Sequence, residues 1–245
     1  MFRRMFGDAF PSTSDLALNL CGRADLTKSS TMLHLGCGVG SVSSLIYSKY
    51  GAKMLCFDPF QSLIDTANSE SSRDDLKFQC SDLNNLPFPN GGASHILTEA
   101  KLSIHKNPSV LLNEVKRCLN NDGLLMNSEI VITDQSQLNP KVNQFITTAL
   151  GSNSARTLDD WKSLLSSNNF DVIESQIEPK IMRSNARKLS RALFGLRLLR
   201  RTGQFSLSDM GLGALEKEFD VVAKDSIKAI NDGFITYASF ISKHS

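Results

Sequence analysis

Residues 31–40 read Thr-Met-Leu-His-Leu-Gly-Cys-Gly-Val-Gly, and they constrain the fold more than any other stretch of the chain. A short apolar run of this kind is a buried strand, and here it passes directly into three glycines at alternate positions. Glycine adopts positive φ without a steric penalty. Gly36, Gly38 and Gly40 therefore let the backbone turn tightly and approach a ligand closely. Ser41 to Tyr50 spaces Val42, Leu45 and Ile46 as a helix does, and Gly51 stands where a glycine ends one. The start of such a helix offers unpaired N–H groups to a carboxylate or phosphate.

The alternation continues. Strands are predicted over 52–57, 76–80, 93–99 and 124–132, the last announced by the turn Asn121-Asp122-Gly123. Helices are predicted over 61–68 and 108–119, the second with Asn107 as cap and Pro108 at its first position. An entry helix over 12–30 precedes them, with Ser12, Thr13 or Ser14 as its cap. Strands alternating with helices indicate βαβ units, right-handed crossovers and a ligand crevice at the carboxyl ends of the strands. Beyond residue 135 the pattern changes to a helix from Thr157 through Leu165, a strand over 170–177, helices over 180–200 and 206–230, and a last strand over 233–241.

The expected fold is α/β and Rossmann-like, a mostly parallel seven-stranded sheet with helices on both faces and a helical insertion before the last strand. The expected divisions are an entry segment 1–30, a core 31–177, an insertion or lid 178–230, and a final strand 231–245. At 245 residues and 41% hydrophobic content the chain has enough material for one substantial core. It lacks an apolar run long enough to span a bilayer, and its N-terminus has no signal-peptide pattern. Five cysteines without a C-x-x-C spacing signal neither zinc nor a redox motif, so no metal is expected and a cytoplasmic location with reduced thiols is.

Asp58 ends the second strand, where an acidic side chain accepts hydrogen bonds from both hydroxyls of a ribose. Paired with the glycine loop, it points to a nucleoside cofactor. A dinucleotide enzyme wants Gly-x-Gly-x-x-Gly, but position 41 is serine and the run is Gly-x-Gly-x-Gly. Ser81-Asp82 follows the third strand and supplies a polar group suited to an adenine amino group.

These segments resemble, in order and spacing, the class I S-adenosylmethionine-dependent methyltransferases. The similarity is strongest to the small-molecule branch that includes the ubiquinone/menaquinone-biosynthesis and arsenite methyltransferases. Residues 31–40 match the family's first motif, Phe57-Asp58-Pro59 its second, and Ser81-Asp82-Leu83 with Leu86-Pro87-Phe88 its third. Residues 96–100 fall on its fourth strand and 111–125 on its helix–turn–strand. The resemblance implies that Gly36, Cys37, Gly38 and Gly40 lie against the methionine part of S-adenosylmethionine. It implies that Asp58, with Pro59 beside it, holds the ribose. Asp82 and the Leu83 backbone would meet the adenine, and Glu99 would lie near the transferred methyl.

One departure stands out. The family has an acid two residues before the first glycine, where it anchors the ammonium of the donor; this chain has His34. Methyl transfer demands proximity and orientation more than a catalytic constellation, and the sequence displays none. Glu99 and His105, in the loop after the fourth strand, are the only side chains singled out for catalysis. Arsenite is disfavoured as acceptor because Cys37, Cys56 and Cys80 are committed to the loop and strands.

Residues 180–201 hold eight Lys or Arg and no Asp or Glu, with Ile181, Leu189, Leu193, Leu196 and Leu199 at helical spacing. This reads as an amphipathic lid with a solvated basic face, and it favours an anionic small-molecule acceptor. A methyltransferase acting on RNA or protein through this segment, and a non-catalytic S-adenosylmethionine-binding protein, are the alternatives. Nucleic acid is disfavoured because no aromatic-rich binding motif accompanies the charge.

Overall fold

The computed structural model describes residues 14–71, 73–150, 156–204, 206, 208, 213 and 216–244. In chain order the elements are α1 (Ser14–Arg23), β1 (Thr31–Leu35), α2 (Ser41–Tyr50), β2 (Lys53–Asp58), α3 (Gln61–Ser71), β3 (Leu76–Cys80) and β4 (Ala93–Glu99). There follow α4 (Lys101–Ile104), α5 (Pro108–Cys118), β5 (Leu119–Ile132), a 3-10 turn (Gln135–Gln137) and α6 (Pro140–Leu150). The last are α7 (Leu158–Ser167), β6 (Phe170–Ile177), α8 (Pro179–Arg201), α9 (Phe219–Asp232) and β7 (Ile235–His244).

The seven strands form one sheet in the order β3-β2-β1-β4-β5-β7-β6. β1 pairs parallel with β2 and β4, β2 with β3, and β4 with β5. The α/β, Rossmann-like expectation holds, and the mostly parallel sheet is mixed, with one antiparallel pair. β7 runs against β5: Thr133 N–H donates to the Phe234 carbonyl at one end, while Lys243 reaches Asp122 at the other. All but the first residue of β1 is buried, so both faces of this strand are covered, as a parallel central strand requires. The order reverses between β1 and β4, which places the crevice beside the glycine loop.

The chain divides into two compact units. One takes Thr13–Glu129, Asp159–Gln176 and Ser239–Ser245. The other takes the described parts of Ile130–Leu158 and Ile177–Ala238.

Three local expectations are corrected. α1 ends at Arg23 instead of running to residue 30, because Asp25 turns to φ 52° and Leu26 N–H folds back onto the Cys21 carbonyl. Asn121-Asp122-Gly123 is not a turn before β5 but lies within it: the register jumps from Ala93↔Leu119 to His95↔Leu124, and the bulge absorbs these residues. Asn107 does precede α5 and Pro108 opens it, but the Asn107 side chain makes no capping hydrogen bond. Of the three proposed α1 caps, Ser12 and Thr13 lie outside the described residues. Gly51 ends α2 as expected, in the left-handed conformation at φ 65°.

Candidate functional site

The loop after β1 has the geometry its glycines suggest, with Gly36, Gly38 and Gly40 at φ 76°, 58° and 80°. Each glycine has a different reason to lack a side chain. A Cβ on Gly40 would lie 2.6 Å from the Phe78 ring, and one on Gly36 would lie 1.7 Å from Cε of Lys101. A Cβ on Gly38 would meet nothing within 4 Å. Gly40 is therefore a packing glycine, whereas Gly38 faces open space where a ligand can approach the backbone.

The loop's own N–H groups are largely committed. Gly36 and Cys37 N–H both donate to the Phe57 carbonyl, at 2.7 and 3.1 Å, and Gly40 N–H donates to the Cys37 carbonyl at 3.1 Å. Gly38 N–H donates to Asp58 Oδ2 at 3.0 Å. A loop that grips a diphosphate presents such donors to the ligand. This one spends them on β2 and on itself, which fits a nucleoside whose tail is not a phosphate chain.

Asp58 is 2% exposed, and its Oδ1 also accepts from Phe60 N–H at 3.0 Å. The carboxylate thus ties the glycine loop to the turn after β2. Each oxygen has accepted one hydrogen bond and keeps a second lone pair. Pro59 is exposed, and its carbonyl receives the Cys80 thiol. Phe60, 65% exposed, stands next in the chain. Sequence reasoning passed over it, although a large apolar residue directly after Asp-Pro in a loop is a usable signal. Cys37 is buried, and burial pushes its thiol well above the ordinary range, so it is not a nucleophile.

The third motif forms a separate turn. Asp82 is exposed, and its Oδ1 accepts from the backbone and side-chain N–H groups of Asn84 at 2.9 and 3.0 Å. Leu83 is buried beside it. Arg117 on α5 holds the following segment, donating to the Leu86 and Phe88 carbonyls and to Asn90 Oδ1. Glu114 completes this brace by accepting from Leu86 N–H at 2.6 Å, and Arg117 beside it holds its carboxyl below the usual range.

His34 is 1% exposed on β1. Its Nδ1 lies 2.8 Å from Ser43 Oγ on α2, and its Nε2 lies 3.2 Å from Glu99 Oε2, off the line of a hydrogen bond. β4 pairs with β1, so the end of β4 carries a carboxylate to the His34 side chain. The structure brings Glu99, His34 and the glycine loop together; Asp58 joins them through Gly38.

The chain leaves β4 through Ala100 at φ 54°, a strained conformation for a residue with a Cβ. Two groups stabilise it and the single-turn α4 that follows. Ala100 N–H donates to the Ser128 carbonyl at 2.7 Å. Glu129, fully buried on β5, accepts from the N–H groups of Leu102 and Ser103 and from the Ser103 hydroxyl. Burial pushes the Glu129 carboxyl up to about 7 despite these donors. His105 ends α4, and its Nδ1 accepts from Asn107 N–H at 3.1 Å. That bond puts the ring proton of a neutral His105 on Nε2, which makes it a local cap rather than a poised base. Sequence reasoning missed Glu129 and Lys101, since neither belongs to a motif.

On the other unit, Arg197 on α8 pairs with Asp220 on α9 at 2.7 Å, and Arg200 pairs with Glu216, just before α9, at 2.8 Å and lies over the Phe219 ring. Phe194 and Leu198 on α8 and Val221 on α9 are exposed. Leu196 is buried and Ile181 and Leu199 half-buried, whereas the side chains of Leu189 and Leu193 lie outside the described residues. No helix among the described residues is long and apolar enough to cross a membrane.

Residues 33–127 match a family model described as a methyltransferase domain. No curated protein matches the sequence. Among solved structures, a protein assigned as a sarcosine dimethylglycine methyltransferase from Galdieria sulphuraria is similar with a TM-score of 0.72 at 13% identity, over 95% of this chain and 85% of that one. The geranyl diphosphate C-methyltransferase from Streptomyces coelicolor A3(2), solved with Mg2+, geranyl-S-thiolodiphosphate and S-adenosyl-L-homocysteine, gives 0.71 at 12%, over 95% and 76%. The [4+2]-cyclase SpnF gives 0.70 at 16%, over 95% and 82%. At these identities the likeness establishes the fold, and a fold hosts more than one chemistry.

Proposed function

Because residues 33–127 match a methyltransferase-domain model on a methyltransferase-like fold, we propose that the chain is a class I S-adenosylmethionine-dependent methyltransferase acting on a small-molecule acceptor, an anionic one by preference. The donor supplies an electrophilic methyl group on a sulfonium; the chain's residues bind it, orient it and exclude water.

The observation that carries the reading is the loop itself. It is open at Gly38, has the N–H groups of its three glycines and Cys37 already committed, and is tied to a buried acid at the end of β2. Asp58 takes the ribose hydroxyls on its remaining lone pairs. Phe60 offers an apolar face to the base, whose amino group meets Asp82 and the Leu83 backbone. Gly36, Cys37 and Gly38 line the methionine part, while Gly40 packs the loop against Phe78. Glu99, with His34 behind it, supplies the negative charge that the ammonium requires, from β4 instead of from β1. The relocation answers the missing acid at position 34 and favours an active enzyme over a silent binder.

The donor is already activated, so no general base need be assigned unless the acceptor is weakly acidic. Neither side chain is assigned as that base: Glu99 is engaged with the ammonium, and His105 presents its protonated nitrogen. The eight cations of 180–201 support an anionic acceptor. Lys180, Arg191 and Arg201 are exposed, whereas Arg197 and Arg200 are engaged by Asp220 and Glu216. Five unbridged cysteines support a cytoplasmic setting.

Two measurements test the reading. Calorimetry should show binding of S-adenosylmethionine and S-adenosylhomocysteine; a folded protein that binds neither overturns it. Transfer of label from methyl-labelled S-adenosylmethionine into a metabolite extract should mark a small acidic product, and label found only in protein or RNA would reject the small-molecule acceptor.

A further inference from the structure

Lys101 is the first residue of α4, the turn that Glu129 holds in place. It is half-buried, and its stem lies across the backbone of Gly36: a Cβ there would stand 1.7 Å from its Cε and 2.5 Å from its Nζ. Its ammonium makes no hydrogen bond or ion pair with any described residue. A lysine that reaches into a cleft ordinarily keeps its head in water or pairs it. This one instead rests on the glycine against which the amino-acid end of the donor is proposed to lie, two residues along the chain from Glu99.

We propose that Lys101 is a specificity-determining donor-binding residue that pairs with the α-carboxylate of S-adenosylmethionine, while Glu99 faces the α-ammonium. The inference rests on the cofactor reading above and adds to it a residue that reads the far end of the molecule. The amino-acid tail is zwitterionic, and one short segment, Glu99 to Lys101, presents one charge of each sign to it. Ala100 at φ 54° makes this possible, because its turn converts neighbouring positions on the chain into two groups at the loop. Removing the ammonium would leave a carboxylate unpaired in a partly desolvated cleft, whereas a ligand without a carboxylate would not register the loss.

The test pairs two variants with two ligands, measured by calorimetry. The ligands are S-adenosylhomocysteine and 5′-methylthioadenosine, which keeps the nucleoside and lacks the amino-acid end. Lys101→Met should weaken S-adenosylhomocysteine by about 10- to 100-fold, the range of one charge-assisted hydrogen bond, and leave 5′-methylthioadenosine within about twofold. Lys101→Arg should restore most of the loss. Equal weakening of both ligands by Lys101→Met would assign Lys101 a structural role and overturn the proposal, as would no weakening of either. If Lys101→Met does not fold, Lys101→Gln is measured in the same way and read by the same criteria. If the unmodified protein binds S-adenosylhomocysteine but the selectivity is unchanged in the variants, only this inference fails. If it binds neither ligand, the cofactor reading falls with it.

Discussion

The two compact units differ in what their polar groups are for. In the unit that contains β1 to β4, polar groups fix the backbone: four loop N–H groups are committed, Asp58 spans loop and turn, and Glu129 and Arg117 brace the segments after β4 and β3. In the unit that contains α8 and α9, polar groups join helix surfaces through partly exposed ion pairs, and Phe194, Leu198 and Val221 are left in solvent. Exposed pairs of this type contribute little stability.

The glycines sharpen that contrast most. Gly40→Ala combines left-handed strain with a collision against Phe78 and should cost about 3 kcal/mol of stability in urea unfolding. Gly38→Ala carries the strain alone, about 1 kcal/mol, yet should lose donor affinity because the open face of the loop is filled. Equal stability losses would mean that the two glycines do not divide packing from binding.

A pH series comes next. Burial holds the Glu129 carboxyl at about 7, so the folded chain keeps a proton that the unfolded chain releases near 4.5, the ordinary value for a glutamate. The contribution is full below that lower value and is lost as pH rises to about 7. Its size is about 3 kcal/mol. Glu129→Gln should flatten this fall. A parent protein whose stability over the interval is as flat as the variant's would show that Glu129 is ionised when folded. Glu114 has the opposite sign: Arg117 lowers it, and its contribution is lost on acidification.

The smallest effect belongs to the helical unit. Phe194→Ser should change stability by less than about 0.5 kcal/mol and leave S-adenosylhomocysteine binding alone. An altered donor affinity would break the division between the units.

Those same differences decide what can be read from sequence. The loop, Asp58 and the end of α2 were legible because glycine φ, a strand-end acid and a helix-stop glycine are backbone requirements written in residue type. β3, β4 and β6 follow their expected limits for a similar reason, being short runs bounded by turn residues. α4 was not legible: one turn shows no helical period, and its support, Glu129, lies 26 residues from Ser103. The bulge in β5 carries turn chemistry in Asn-Asp-Gly, and only the pairing with β4 shows that the strand continues through it. His34 could be flagged as a departure, but the Glu99 carboxylate beside it is visible only once β1 and β4 are known to be neighbours.

The committed N–H groups of the loop also bear on how such a protein can be re-engineered. Restoring a glycine at Ser41 would complete the Gly-x-Gly-x-x-Gly spelling without freeing the donors that Phe57 and Asp58 already occupy. A designer wanting a diphosphate grip would have to rebuild the end of β2 as well as the loop. Cofactor choice is therefore stored in two strands at once, which makes it hard to change by single substitutions.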